Sequence, residues 1–174
     1  MFNEFDPLAA KTDFRTEAAI IAIKREIQNI LDCYVGWYDP FCELIQNALD
    51  SVEQQTTEVS NDEYIPCVKV IINLKENTLT VSDNGTGLSK EKYEQFLAPS
   101  FSFKSGKTRG HKGVGATYIA YGFNYIQLCS RMLDFVAIGK MVDARKWLTD
   151  INPSGNPKVI PDSQPSIDSW FNEI

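Results

Sequence analysis

The chain has 174 residues, 43% of them hydrophobic, and a formal net charge of −6. That length and apolar content suit one domain with its own core and exclude general disorder. No apolar run in the sequence nears the ~20 residues a membrane helix needs, and the acidic balance argues against a generic nucleic-acid binder.

The N-terminus "MFNEFDPLAAKTDF" has no basic region followed by an apolar stretch, so no signal peptide is expected. Cys33, Cys42, Cys67 and Cys129 are widely spaced, with no C-x-x-C pair. They are expected as small buried apolar residues in a reducing compartment, and a cytoplasmic location is expected with them. The charges are not spread evenly. Glu26 to Val68 holds no Lys or Arg and nine acids, whereas Lys69 to Lys146 holds twelve Lys or Arg and six acids. The asymmetry matters because many of the later cations surround glycines.

In chain order, residues 11–36 place apolar residues at helical spacing, with Thr12–Asp13 as a start and Gly36 as a stop. Asp39 is then expected to cap a second helix with Pro40 at its first position, running to about Gln54. "TTEVSNDEYIP" is expected as a polar loop. "CVKVIINL" and "TLTVSD" are short, rich in β-branched residues and separated by Lys75-Glu76-Asn77, which predicts a hairpin. "DNGTG" comes directly off the second strand. Ser89 caps a short helix, with Leu88 and Tyr93 spaced as a hydrophobic staple and Pro99 as its end. Residues 98–112 form a loop of serine, glycine and cations. A helix from Gly113 to Gly122 and two strands, "NYIQLCS" and "FVAIGKMV", follow. After about Asp150 the chain turns Pro-rich and is expected to be irregular. The order predicts an α+β fold: a two-layer α/β sandwich, its mainly antiparallel mixed sheet carrying helices on one face.

Three stretches carry chemistry. In "FCELIQNALDSVEQQ", Glu43, Gln46, Asn47 and Asp50 share one helix face, opposite Phe41, Ile45, Ala48 and Val52. A solvated face has the same polarity, but this one lacks cations. A carboxylate one turn from a carboxamide can hold a water beside a metal. Glu43 could act as general base on that water, and Asn47 could offer Mg²⁺ a neutral oxygen. In "SDNGTG", Asp83 would be fixed by its strand and could accept a hydrogen bond from an exocyclic amino group. Gly85 and Gly87 would let backbone approach a flat ring. In "KSGKTRGHKGVGAT", Gly113 and Gly115 open a helix whose free N–H groups attract phosphate. Lys104, Lys107, Arg109, His111 and Lys112 precede it. The P-loop spacing is absent. Trp37, Trp147 and Trp170 are expected in the core or at an interface.

Together the three stretches resemble the motifs of the GHKL ATPases, the superfamily of gyrase B, heat-shock chaperones, histidine kinases and MutL. "ELIQNALD" is similar to the first motif, "DNGTG" to the second and "GHKGVGAT" to the third, in the same order over roughly residues 40–130. The resemblance implies the Bergerat fold over residues 1–150, with residues 151–174 as a tail or the start of a linker, and ATP and Mg²⁺ as ligands. It implies that Glu43 activates the attacking water, that Asn47 binds Mg²⁺ and that Asp83 binds the adenine amino group. Gly85 and Gly87 would line the base pocket. Lys112, Gly113, Val114 and Gly115 would hold phosphates under a lid of residues 98–112. Asp50 and Lys104 join them as nucleotide-site candidates. With Glu43 the chain resembles the hydrolysing branch, because the kinase branch typically carries Asn there. Lid closure, a nucleotide-dependent homodimer and a downstream domain or partner protein are further implications; a membrane or direct nucleic-acid partner is not. A non-hydrolysing ATP-binding switch is the alternative. The family's adenine-binding Thr has no clear counterpart; Thr149 lies in the right half of the chain.

Overall fold

The computed structural model describes residues 2–9, 17–36, 38–59, 63–99, 114–151 and 155–162. Helix α1 spans Glu17–Asp32 and buries Ile23, Ile27, Ile30 and Leu31, the stripe expected from its apolar spacing. The start signal at Thr12–Asp13 lies outside the described residues. The helix ends four residues before Gly36. Asp39 does not cap the next helix but is its first residue, with Tyr38 in the N-cap position and Pro40 second. Its carboxylate reaches back to accept the Gly36 N–H at 2.9 Å, which uses Asp39 to tie the interhelical turn.

Helix α2, Asp39–Glu58, runs four residues beyond Gln54. The polar Thr-Thr-Glu expected to open the loop continues the helix instead. Thr56 and Thr57 hydroxyls donate to the carbonyls of Val52 and Gln54 at 2.8 and 2.7 Å, and Gln54 donates to Glu58 at 2.6 Å. Their side chains therefore bond within the helix rather than compete with it.

Strands β1, Val68–Asn73, and β2, Thr78–Asp83, pair antiparallel from Val68↔Asp83 to Asn73↔Thr78. Asn77 closes the turn at φ 54, a left-handed conformation Asn tolerates. Ser89 caps α3, Lys90–Gln95, by accepting the Lys92 N–H. That helix stops before Pro99. Helix α4 spans Gly115–Gly122, and Gly113 lies outside the described residues. Strands β3, Tyr125–Met132, and β4, Phe135–Val142, form the second expected hairpin.

Two elements were not expected. Helix α5 spans Ala144–Thr149, and β5, Ile160–Pro161, pairs with β4. Phe5 and Val159 form a further bridge, so part of the Pro-rich tail is tied to the sheet and to the N-terminal segment. The architecture is α+β. In place of the one mixed sheet expected, the described residues form two antiparallel sheets, β1-β2 and β3-β4-β5, with no parallel strand pair among them.

Helix α2 packs on both strands of the first sheet and on α4, while α1, α4 and α5 pack together. The core gathers Ile27 and Leu31 of α1, Tyr121 of α4, Trp147 of α5 and Met141 of β4 around Tyr93 and Leu8. Trp147 thus lies in the core, as expected. Tyr93 is anchored by donating to the Leu128 carbonyl at 2.8 Å. The cysteines differ from expectation: Cys33, Cys42 and Cys67 are exposed and only Cys129 is half-buried. Cys33 directly follows α1, Cys42 lies in the first turn of α2 and Cys67 directly precedes β1. Burial pushes the Cys129 thiol up to about 12. No described helix is long and apolar enough to cross a membrane.

Candidate functional site

Helix α2 is the rail of the site. Glu43, Asn47 and Ser51 follow at four-residue steps and share a face. At 1.5 Å per residue, Glu43 and Ser51 lie about 12 Å apart along the axis. Each end of this row meets a different motif.

At the Ser51 end stands Asp83, the last residue of β2 and half-buried. Its carboxylate accepts the Gly85 N–H at 3.0 Å and is hydrogen-bonded by the Ser51 side chain. Burial raises its pKa above the usual carboxylate value, and those two hydrogen bonds pull it back only in part. A Cβ on Gly85 would lie 2.2 Å from Ser51 Oγ and 2.4 Å from its carbonyl carbon. Only glycine lets this turn lie flush on the helix. Asn84 pins the turn to the entry of β1. Its side chain accepts the Cys67 N–H at 2.8 Å and donates to the Ile65 carbonyl at 2.9 Å. The Tyr64 hydroxyl donates to Asn84 Oδ1 at 3.2 Å. Gly87 adopts φ +66, and a Cβ there would meet the Arg131 carbonyl at 2.1 Å. The next N–H, of Leu88, donates to Ser130 Oγ at 2.7 Å. Gly85 and Gly87 were expected to make way for a flat ring. Each also makes a close approach to the protein's own chain that requires glycine, Gly85 at Ser51 and Gly87 at Arg131.

At the Glu43 end, the Tyr34 hydroxyl donates to Glu43 Oε1 at 2.9 Å. Glu43 Oε2 lies 1.9 Å from where a Cβ of Gly115 would stand. The first turn of α4 therefore sits directly against this carboxylate. Val114 occupies the N-cap position of α4, and its carbonyl accepts the Tyr118 N–H at 2.9 Å.

The fold thus brings Glu43, Val114 and Gly115 to one end of the row and Asp83 and Gly85 to the other, with Asn47 half-buried between them. Asp50 accepts from Gln46 at 2.8 Å on the neighbouring strip of the helix. Lys104, Lys112, Gly113 and most of the expected lid lie outside the described residues. Thr149 uses its hydroxyl within α5, on the carbonyls of Arg145 and Lys146. Sequence reasoning missed Ser51 and Tyr34. Ser51 was open to discovery, because it follows Glu43 and Asn47 at the same helical interval. Tyr34 carries no motif signal, and its role depends on how the interhelical turn folds back.

No family model matches the chain, and no curated protein matches it significantly. Among the described residues no group of three or more His, Cys, Asp and Glu side chains forms a metal cage. Mg²⁺ does not need one, since it usually keeps several waters and takes one or two protein oxygens beside substrate phosphates. One carboxamide oxygen at Asn47, between two carboxylate-bearing ends, suits that requirement.

Proposed function

We propose that this chain is an ATP-binding and ATP-hydrolysing domain of the GHKL type, with the Bergerat arrangement of helices over sheet. The observation that carries the proposal is that the Asp83–Gly85 turn and Gly115 of α4 both meet the α2 face that holds the first motif, with Glu43 and Asp83 held at opposite ends of the row. An extended nucleotide laid along this face has its base at Asp83 and its terminal phosphate near Glu43 and the first turn of α4.

Each residue then has a defined task. Asp83, oriented by Ser51 and Gly85, accepts a hydrogen bond from the adenine amino group. The N–H groups that open α4 face phosphate oxygens. Glu43 takes a proton from the water that attacks the γ-phosphate in line, and the β–γ bridging oxygen leaves on ADP. Asn47 would hold Mg²⁺, which when bound offsets charge on the phosphate oxygens.

Titration of the purified protein with ATP and Mg²⁺ by calorimetry tests the site, beside a phosphate-release assay. Saturable binding that Asp83→Asn abolishes, with turnover that Glu43→Ala abolishes while binding persists, supports the proposal. Glu43→Ala hydrolysing at the wild-type rate overturns the general-base role. Binding without turnover by the wild-type protein leaves the non-hydrolysing switch.

A further inference from the structure

The chain just past α1 brings a tyrosine to the Glu43 end of the row. The Tyr34 N–H donates to the Leu31 carbonyl at 3.1 Å, which fixes its backbone on the last turn of α1. Its ring stacks on Tyr118 of α4, with centroids 4.3 Å apart and planes 22° from parallel. Tyr118 in turn packs edge-on against Phe123, just past the end of α4, at 6.5 Å. Burial, and then the hydrogen bond to Glu43, raise the Tyr34 pKa, so it remains a protonated donor.

A glutamate side chain with three free torsions points its carboxylate in many directions. Here one oxygen is held by the Tyr34 hydroxyl at 2.9 Å and the other is confined by Gly115. The donor is itself clamped between α1 and α4. Restraint of this kind is what a reacting group needs, because small misplacements are costly in rate.

We propose that Tyr34 is the positioning residue for Glu43: its hydroxyl fixes the carboxylate, and its stack on Tyr118 couples that orientation to α4. This rests on the hydrolytic reading of the site. The coupling has a regulatory consequence. A shift of α4 that opens the Tyr34–Tyr118 stack also releases Glu43.

Two variants separate the hydroxyl from the ring. Tyr34→Phe keeps the stack and loses the hydrogen bond, whereas Tyr34→Leu loses both. Steady-state ATP hydrolysis is measured with calorimetric ATP affinity for each. For Tyr34→Phe, kcat falls between about 10- and 100-fold, while KM and affinity stay within about twofold. Tyr34→Leu falls at least as far. A Tyr34→Phe protein that keeps kcat within about twofold overturns the proposal, as does one whose loss lies in KM.

A second measurement is independent of turnover. In protein labelled with ¹³C at tyrosine Cζ, the Tyr34 resonance, assigned by its loss in Tyr34→Phe, moves on Glu43→Ala. An unmoved resonance overturns the hydrogen bond, and Tyr34 with it, while leaving hydrolysis by Glu43 intact. If the resonance moves but the wild-type protein binds ATP without turnover, the hydrolytic reading fails and the catalytic use of the pair fails with it.

Discussion

Replacing Gly115 by alanine sets helix propensity against the site. Glycine in the middle of a helix is about 0.5–1 kcal/mol worse than alanine, and at Gly115, the first residue of α4, at most the lower part of that applies, so by local rules Gly115→Ala is neutral to slightly stabilising. The new Cβ, however, would stand 1.9 Å from Glu43 Oε2, 2.5 Å from its Cδ and 3.2 Å from its Cγ. These atoms are the flexible end of a side chain, so the carboxylate swings away rather than the helix breaking. It then gives up the Tyr34 hydrogen bond. A hydrogen bond to a charged group contributes about 1.5–3 kcal/mol, and half-burial puts this one at the lower end. The two effects leave a net loss of about 1 kcal/mol, a fall of roughly 2–4 °C in Tm for a domain of this size. On the proposed role of Glu43 the functional cost is far larger, because a displaced general base forfeits about 10²- to 10⁴-fold in rate. Thermal denaturation, phosphate release and the Tyr34 Cζ resonance are measured together. Wild-type turnover with an unmoved Tyr34 resonance would refute the placement of Glu43 against α4.

Other positions separate stability from function in the same way. Asp83 has its pKa raised by burial. The folded state therefore holds this proton more tightly than the unfolded chain, whose value is near 3.8. The associated stability is full below that value and is lost as pH rises through the folded pKa. At neutral pH the ionised group costs stability, so Asp83→Asn, the variant that on the proposed reading loses ATP binding, makes the ligand-free protein more resistant to urea. The difference closes as the pH falls through the raised folded-state pKa and is gone below about 4, the ordinary aspartate value. A neutral-pH Asn variant less stable than wild type contradicts the burial argument. In the core, Gly139→Ala places a Cβ 2.5 Å from the Tyr93 hydroxyl, 2.8 Å from Val159 Cγ1 and 3.0 Å from Phe2 Cζ. Tyr93 cannot yield without losing its bond to Leu128. Urea unfolding shows a loss of about 1–3 kcal/mol from overpacking. An unchanged midpoint refutes the close packing of β4 on Tyr93.

Local signals in the sequence were read well where one element decides its own form. Apolar spacing gave α1, β-branched runs gave the first hairpin, and Ser89 capped α3 as its position predicts. The face of α2 was legible because helical geometry alone puts Glu43, Asn47 and Asp50 on it. Element ends were less legible. Thr56 and Thr57 read as loop residues, yet their hydroxyls bond back into the helix. Helix α5 was hidden because its signal is short, and β5 because a two-residue strand exists only by pairing with β4.

Residue order therefore determined which groups could act: a cation-free helix row, a carboxylate ending a strand and a glycine opening a helix. It could not determine what each glycine faces or what holds Glu43. Those depend on contacts between residues far apart in the chain. Gly115 meets Glu43 across 72 positions and Gly85 meets Ser51 across 34. Tyr34 becomes part of the site only when the turn after α1 brings its hydroxyl to α2 and its ring to α4. Side-chain chemistry is a local property. Restraint comes from packing, and packing exists only once the chain has folded.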